Sequence, residues 1–278
     1  MDSEKLVPRS NLTAACLMTY ASVTPLLAVL AAVVLFPRDT QTAAIAATAM
    51  QPLLLLAGSL LAFLRTGMRL PYSGRPASGI VLGAACAMLM WPGAAILSAL
   101  FSAPSGEQPA MADTIRGLGL FPAVLLLALL PAVCEEIYAR GFLYGALSRY
   151  GAVSGIAGSA ICFALLHGSF GQAAYALYCG VMLGMARYAS GSILPCIAGH
   201  FLFNLSSVAS AFLPAAAGVD IPFGLLAVAA VPFTAAFSAR CAAMGRHAAH
   251  AVPEKPDAGM FWLLAGAAAS MAISHILR

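Results

Sequence analysis

Charge is scarce in this sequence. Of 278 residues only 9% are Asp, Glu, Lys or Arg, against 62% hydrophobic. A soluble domain carries roughly a quarter charged residues and is about half apolar. A chain with so few polar groups cannot cover a water-facing surface, so lipid is its solvent. No segment alternates apolar and polar residues as a barrel strand would. In lipid the backbone must then satisfy itself within helices. There is no basic stripe with interleaved aromatics, and the net charge is only +4, which excludes nucleic acid as a partner. No CxxC pair occurs. The seven cysteines, Cys16, Cys86, Cys134, Cys162, Cys179, Cys196 and Cys241, are scattered singly and read as small core-filling residues. No HExxH is present, no soluble domain, no long linker and no internal repeat.

Long apolar runs are abundant. At about 20 residues per crossing, eight candidate spans follow: 12–36, 42–64, 77–100, 118–150, 152–167, 172–188, 193–213 and 222–238. A ninth apolar run, 260–277, follows a polar stretch. The expected fold is an all-α, polytopic transmembrane helical bundle of about eight to nine spans, forming a single domain over 1–278. Its core helices cover about 118–213, and a C-terminal polar linker plus apolar helix occupies 239–278. The first run follows MDSEKLVPRSN, is too long for a signal-peptide core, and reads as a retained helix. The segment FSAPSGEQPAMADTIRG between spans three and four reads as a polar loop.

The few basic residues are unevenly placed. Arg65, Arg69 and Arg75 follow span two, Arg140 and Arg149 end span four, Arg187 ends span six, and Arg240, Arg246 and Lys255 follow span eight. The other connections hold chiefly Arg38 and Arg116. Lys and Arg collect on the cytoplasmic side, which places the N-terminus there. Pairs at GxxxG spacing (Gly141 with Gly145, Gly151 with Gly155, Gly180 with Gly184) permit close helix packing.

Ionisable residues within spans are costly, about 2.5 to 3.5 kcal/mol each on insertion scales, and are functional candidates by default. They are Glu135, Glu136, Arg140, His167 and His200, with Asn204 as a polar companion. Glu136 and Arg140 are four apart on one helix and share a face. Glu135 lies about 100° round the helix and cannot share that arginine well, so one carboxylate is neutralised and its neighbour is left for chemistry. Phe163 and His167 are again four apart, so the ring can pack beneath the imidazole and fix its rotamer. His200 and Asn204 occupy one face of span seven. Taken singly, these features also fit a buried salt bridge, an interfacial histidine and polar glue between helices. Taken together, an acid, two histidines and an amide suit amide hydrolysis: a carboxylate takes a proton from water, and polar donors meet a developing oxyanion. One geometric tension is visible. A full-length span five carries His167 to the far side of the membrane from His200, unless that span is short, tilted or broken.

Glu135-Glu136-x-x-x-Arg140, Phe163-x-x-x-His167 and His200-x-x-x-Asn204, in this order, resemble the three signature motifs of the CPBP family. This family comprises CAAX proteases and bacteriocin-processing enzymes, also called the ABI family or type II CAAX prenyl endopeptidases. RGFLYGAL after the first motif and RYASGSILPCIAGHFLFN around the third agree with it, and the resemblance covers roughly residues 120 to 210. It implies an intramembrane endopeptidase with Glu135 as general base, His167 assisting, His200 and Asn204 at the oxyanion, and Glu136, Arg140 and Phe163 in support. No cofactor is required on the favoured reading. A zinc version would use Glu135, His167 and His200. The implied partners are the lipid bilayer and a membrane-associated substrate: a CAAX-like tail, a leader peptide or a bacteriocin or signal precursor. The alternatives are a non-proteolytic scaffold or immunity protein and a proton-coupled transporter. High Ala content and compact loops point to a bacterial plasma membrane.

Overall fold

The structure is a computed structural model that describes residues 3–72, 76–101, 107–167, 170–212 and 223–248, with 265, 266 and 269. Nine helices cover the main described segments: α1 Ser3–Leu35, α2 Thr40–Thr66, α3 Pro76–Phe101, α4 Glu107–Leu118, α5 Leu120–Tyr150, α6 Ala152–Leu165, α7 Phe170–Ser190, α8 Leu194–Phe212 and α9 Phe223–Ala248. There is no strand among the described residues. The chain is an all-α polytopic bundle. Stretches of α1, α2, α3, α5 and α8 are long and apolar enough to cross a membrane. The remaining expected spans five, six and eight are the helices α6, α7 and α9. The ninth, 260–277, lies almost wholly outside the described residues.

Exposed apolar side chains confirm which solvent the surface meets. Leu64, Val34, Val81, Met88 and Val153 are each more than two-thirds exposed, which water would penalise and lipid does not. Inside, alanine, glycine and cysteine fill the contacts between helices, and six of the seven cysteines are buried and unpaired. Where glycine is needed, the reason is proximity. A Cβ on Gly83 of α3 would stand 2.6 Å from the Pro195 carbonyl oxygen of α8, and one on Gly199 would stand 3.0 Å from that of Gly83.

Two features depart from the sequence reading. The polar loop after α3 contains α4. Ala112, Ile115 and Leu118 pack together, with Ile115 buried, and Arg116 donates from Nε to the Ala211 carbonyl near the end of α8 at 2.8 Å. Low mean hydropathy hides such a surface helix from a search for spans. Second, α5 is not uniform. Val124–Leu129 and Ile137–Leu143 are π-helical, and between them Leu130–Glu136 is ordinary α-helix. π-helical turns inside α-helices are rare and concentrate at functional positions.

Helix α6 has 14 residues, so it rises only about 20 Å. It ends well short of a full crossing, and His167, two residues beyond it, stays within reach of the bundle centre. The tension over His167 and His200 is resolved by this shortness.

Candidate active site

Arg140 is fully buried together with Glu136. Its Nη1 donates to Glu136 Oε1 at 2.8 Å, across the junction between the α-helical turn and the second π-helical stretch. Its Nη2 donates to the Gly180 carbonyl of α7 at 2.9 Å. Gly180 permits this approach, because α7 lies so close to α6 there that a Cβ would come within 3.0 Å of Ala160. The guanidinium carbon also stands 4.6 Å from the centre of the Phe163 ring. A buried cation is tolerated only when paired and hydrogen-bonded, and Arg140 meets that condition through three helices.

The same Glu136 oxygen lies 2.9 Å from His200 Nδ1. A carboxylate held by a guanidinium accepts only, so Nδ1 carries the proton. This orients the imidazole of α8 and leaves Nε2 on the other edge, 4.0 Å from Glu135 Oε2. That separation is too long for a hydrogen bond and is one at which an intervening water is to be considered. Glu135 is 14% exposed, whereas Glu136 is wholly enclosed. The two adjacent carboxylates therefore differ in kind: one is locked to Arg140 and His200, the other faces a cavity.

His167 is held by a similar device. Its Nδ1 lies 3.0 Å from the Phe163 carbonyl, an obligate acceptor, so in this ring too the Nδ1 proton is committed and Nε2 is left. The Phe163 ring touches both imidazoles edge-on, at 4.9 Å to His167 and 5.7 Å to His200. Phe163 is thus a hub between the two histidines and Arg140.

Glu135, Phe163, His167, His200 and Asn204 all line one cavity of about 550 Å³. Glu136 and Arg140 lie behind that wall. The cavity has further walls that no motif announced: Trp91 and Ser98 from α3, Ile115 from α4, and Tyr175 and Cys179 from α7. Tyr175 packs edge-on to His167, with ring centres 6.4 Å apart. A tyrosine on an apolar helix reads as packing, and nothing in its spacing marks it as a neighbour of this histidine.

Zinc can be tested against this geometry. Among the described residues, no three His, Cys, Asp or Glu side chains are grouped so as to hold a metal ion. The free Nε2 edges suit a ligand role, but Glu135, His167 and His200 are not gathered into a ligand set.

Fold and site together define a polytopic helical membrane protein with a carboxylate–histidine cluster inside the bundle. Residues 117–206 match the family model described as "Type II CAAX prenyl endopeptidase Rce1-like", so this segment is similar to that family of proteases. The chain is accordingly an enzyme, a hydrolase of the peptidase class, and an integral membrane protein. No curated protein and no solved structure gives a match.

Proposed function

We propose that the chain is an intramembrane endopeptidase that hydrolyses a peptide bond in a membrane-associated peptide or protein, with Glu135 as general base. The observation that carries this reading is the division of labour between two adjacent carboxylates. Glu136 is neutralised by Arg140 and spent on His200. Glu135 has no such partner and faces the cavity with His200 Nε2 at 4.0 Å.

On this reading a water sits among Glu135, His167 and His200. Glu135 takes one of its protons while the oxygen adds to the scissile carbonyl carbon. His167, its Nδ1 proton committed to Phe163, presents the Nε2 lone pair and helps orient that water. Negative charge then develops on the carbonyl oxygen. Asn204 donates to it from its amide. His200, its Nδ1 proton held by Glu136, donates to it from Nε2 when that nitrogen also carries a proton. Preorganised donors of this kind lower the barrier most where water is scarce. When the C–N bond breaks, the proton on Glu135 passes to the leaving nitrogen, and the carboxylate is restored.

The substrate classes consistent with this chemistry are a CAAX-like tail, a leader peptide and a bacteriocin or signal precursor. The same reading puts the chain in a bacterial plasma membrane, from its high Ala content and compact loops, with its N-terminus in the cytoplasm, from the clustering of Lys and Arg at one end. The test is mass spectrometry of membrane peptides from cells carrying either the parent or Glu135→Gln. Peptides that accumulate uncut only in the variant support the reading. Identical peptide profiles contradict it.

A further inference from the structure

We infer that Tyr175 is a further catalytic group of this site: its hydroxyl donates a hydrogen bond to the oxyanion that forms on the scissile carbonyl, sharing that charge with Asn204. The inference rests on the protease reading and deepens it by one residue that none of the three motifs contains. No proton is transferred in this role. The phenol keeps its hydrogen from substrate binding to product release.

The motif residues alone leave the oxyanion short of donors. His167 Nε2 offers a lone pair, because the Nδ1 proton is committed to the Phe163 carbonyl at 3.0 Å. His200 donates from Nε2 only with a second proton, since its first lies toward Glu136 at 2.9 Å. Glu135, as an ionised base, accepts. Asn204 is then the only motif side chain on the cavity wall that donates in every protonation state. An oxyanion can accept several hydrogen bonds. Where the wall is built largely of apolar side chains such as Met90, Leu127, Leu183 and Val208, each bond left unmade is costly.

Tyr175 has both the position and the chemistry. It stands on α7 and lines the same cavity as Glu135, His167, His200 and Asn204. Its ring meets that of His167 edge-on, with centres 6.4 Å apart, and the Glu135 charge reaches it. Buried tyrosine hydroxyls usually find a partner. Tyr178, three residues further along α7, does so by donating to the Leu89 carbonyl of α3 at 3.0 Å. The Tyr175 hydroxyl has no hydrogen-bond partner among the described residues, and its oxygen is not enclosed by protein. The ring itself packs against two apolar clusters of the bundle. A fixed ring with an unspent O–H is a preorganised donor. Other polar groups of the wall are engaged: Trp91 and Ser98 have partners, and the Ser207 hydroxyl lies 3.5 Å from the Phe203 carbonyl. A phenol is also protonated at neutral pH, so Tyr175 donates without any prior titration.

Tyr175→Phe removes the oxygen and keeps the ring against His167, so it separates donation from packing. Cells carrying the parent, Tyr175→Phe or Glu135→Gln receive a pulse of isotope, and their membrane peptides are followed by mass spectrometry. The peptides that stay uncut in Glu135→Gln cells are the reporters. Their cleavage should be about 10²- to 10³-fold slower with Tyr175→Phe than with the parent, the loss typical of one missing oxyanion donor. Purified Tyr175→Phe should melt in detergent at the parent's temperature, because a hydroxyl without a partner holds nothing in the fold. Cleavage at the parent's rate overturns the inference. Slower cleavage accompanied by a lower melting temperature also overturns it, since the hydroxyl would then be structural. Peptide profiles that are the same in parent and Glu135→Gln cells contradict the protease reading instead, and the inference falls with it.

Discussion

His200 and Arg140 reach the same oxygen: Glu136 Oε1 accepts from His200 Nδ1 at 2.9 Å and from Arg140 Nη1 at 2.8 Å. One buried carboxylate thereby ties α5 to α8, while Arg140 ties α5 to α7 through Gly180. Arg140→Ala strips the charge partner from a fully enclosed Glu136, a loss of about 3 to 5 kcal/mol for buried pairs. The expected outcome is a lower folded yield and a lower melting temperature in detergent, along with loss of activity. Arg140→Lys should recover only part of this, because a single ammonium cannot reproduce the planar fork that meets Glu136 and Gly180 together. Thermal melts of the three proteins check both points.

Phe163 touches His167, His200 and Arg140 at once. Phe163→Ala should cost about 3 to 5 kcal/mol as a buried large-to-small change. Phe163→Leu keeps most of the volume and removes the ring's attraction for the guanidinium, worth about 0.5 to 2 kcal/mol. The leucine variant should therefore remain folded yet lose more activity than its small loss of stability explains, since both imidazoles lose the face that holds them. Parallel melts and cleavage rates separate the two effects.

Two glycines should respond differently to the same substitution. At Gly83 a Cβ meets backbone, the Pro195 carbonyl oxygen at 2.6 Å. At Gly145 the nearest atom is Met68 Cε at 2.7 Å, the end of a flexible side chain that can move aside. Gly83→Ala should destabilise by about 1 to 3 kcal/mol, in the range of overpacked cores, and should disturb His200 through α8. Gly145→Ala should melt close to the parent.

Activity of the purified enzyme should withstand a strong chelator, given that Glu135, His167 and His200 are not grouped as metal ligands. Loss of cleavage on chelation, with recovery on adding zinc, would replace the side-chain mechanism by a metal-assisted one.

Local geometry was the legible part of the sequence. Glu136 with Arg140 and Phe163 with His167 are each four residues apart, and such neighbours meet whatever the bundle does. The eight apolar runs likewise map onto helices, and five of these are long and apolar enough to cross a membrane. What lies between helices was not legible. The bond from His200 to Glu136 spans 64 residues, and no spacing rule reports it. Tyr175 and Trp91 carry no signal separating a cavity wall from lipid or core packing. Helix α4 is too polar to register as a span, and the π-helical turns of α5 leave no mark in composition. The apparent conflict over the depth of His167 came from treating α6 as a full crossing, when its 14 residues stop short of one.

The central claim is that Glu135 removes a proton from the attacking water. The most direct measurement is cleavage of a candidate lipopeptide or leader peptide by purified Glu135→Gln in detergent, with product read by mass spectrometry and folding checked by thermal melt. Glutamine keeps the size of the side chain and loses the proton acceptor. General-base assistance is worth about 10²- to 10⁴-fold, so the rate should fall by that factor while the melting temperature stays near the parent's. A Glu135→Gln protein that is folded and cuts as fast as the parent would contradict the account.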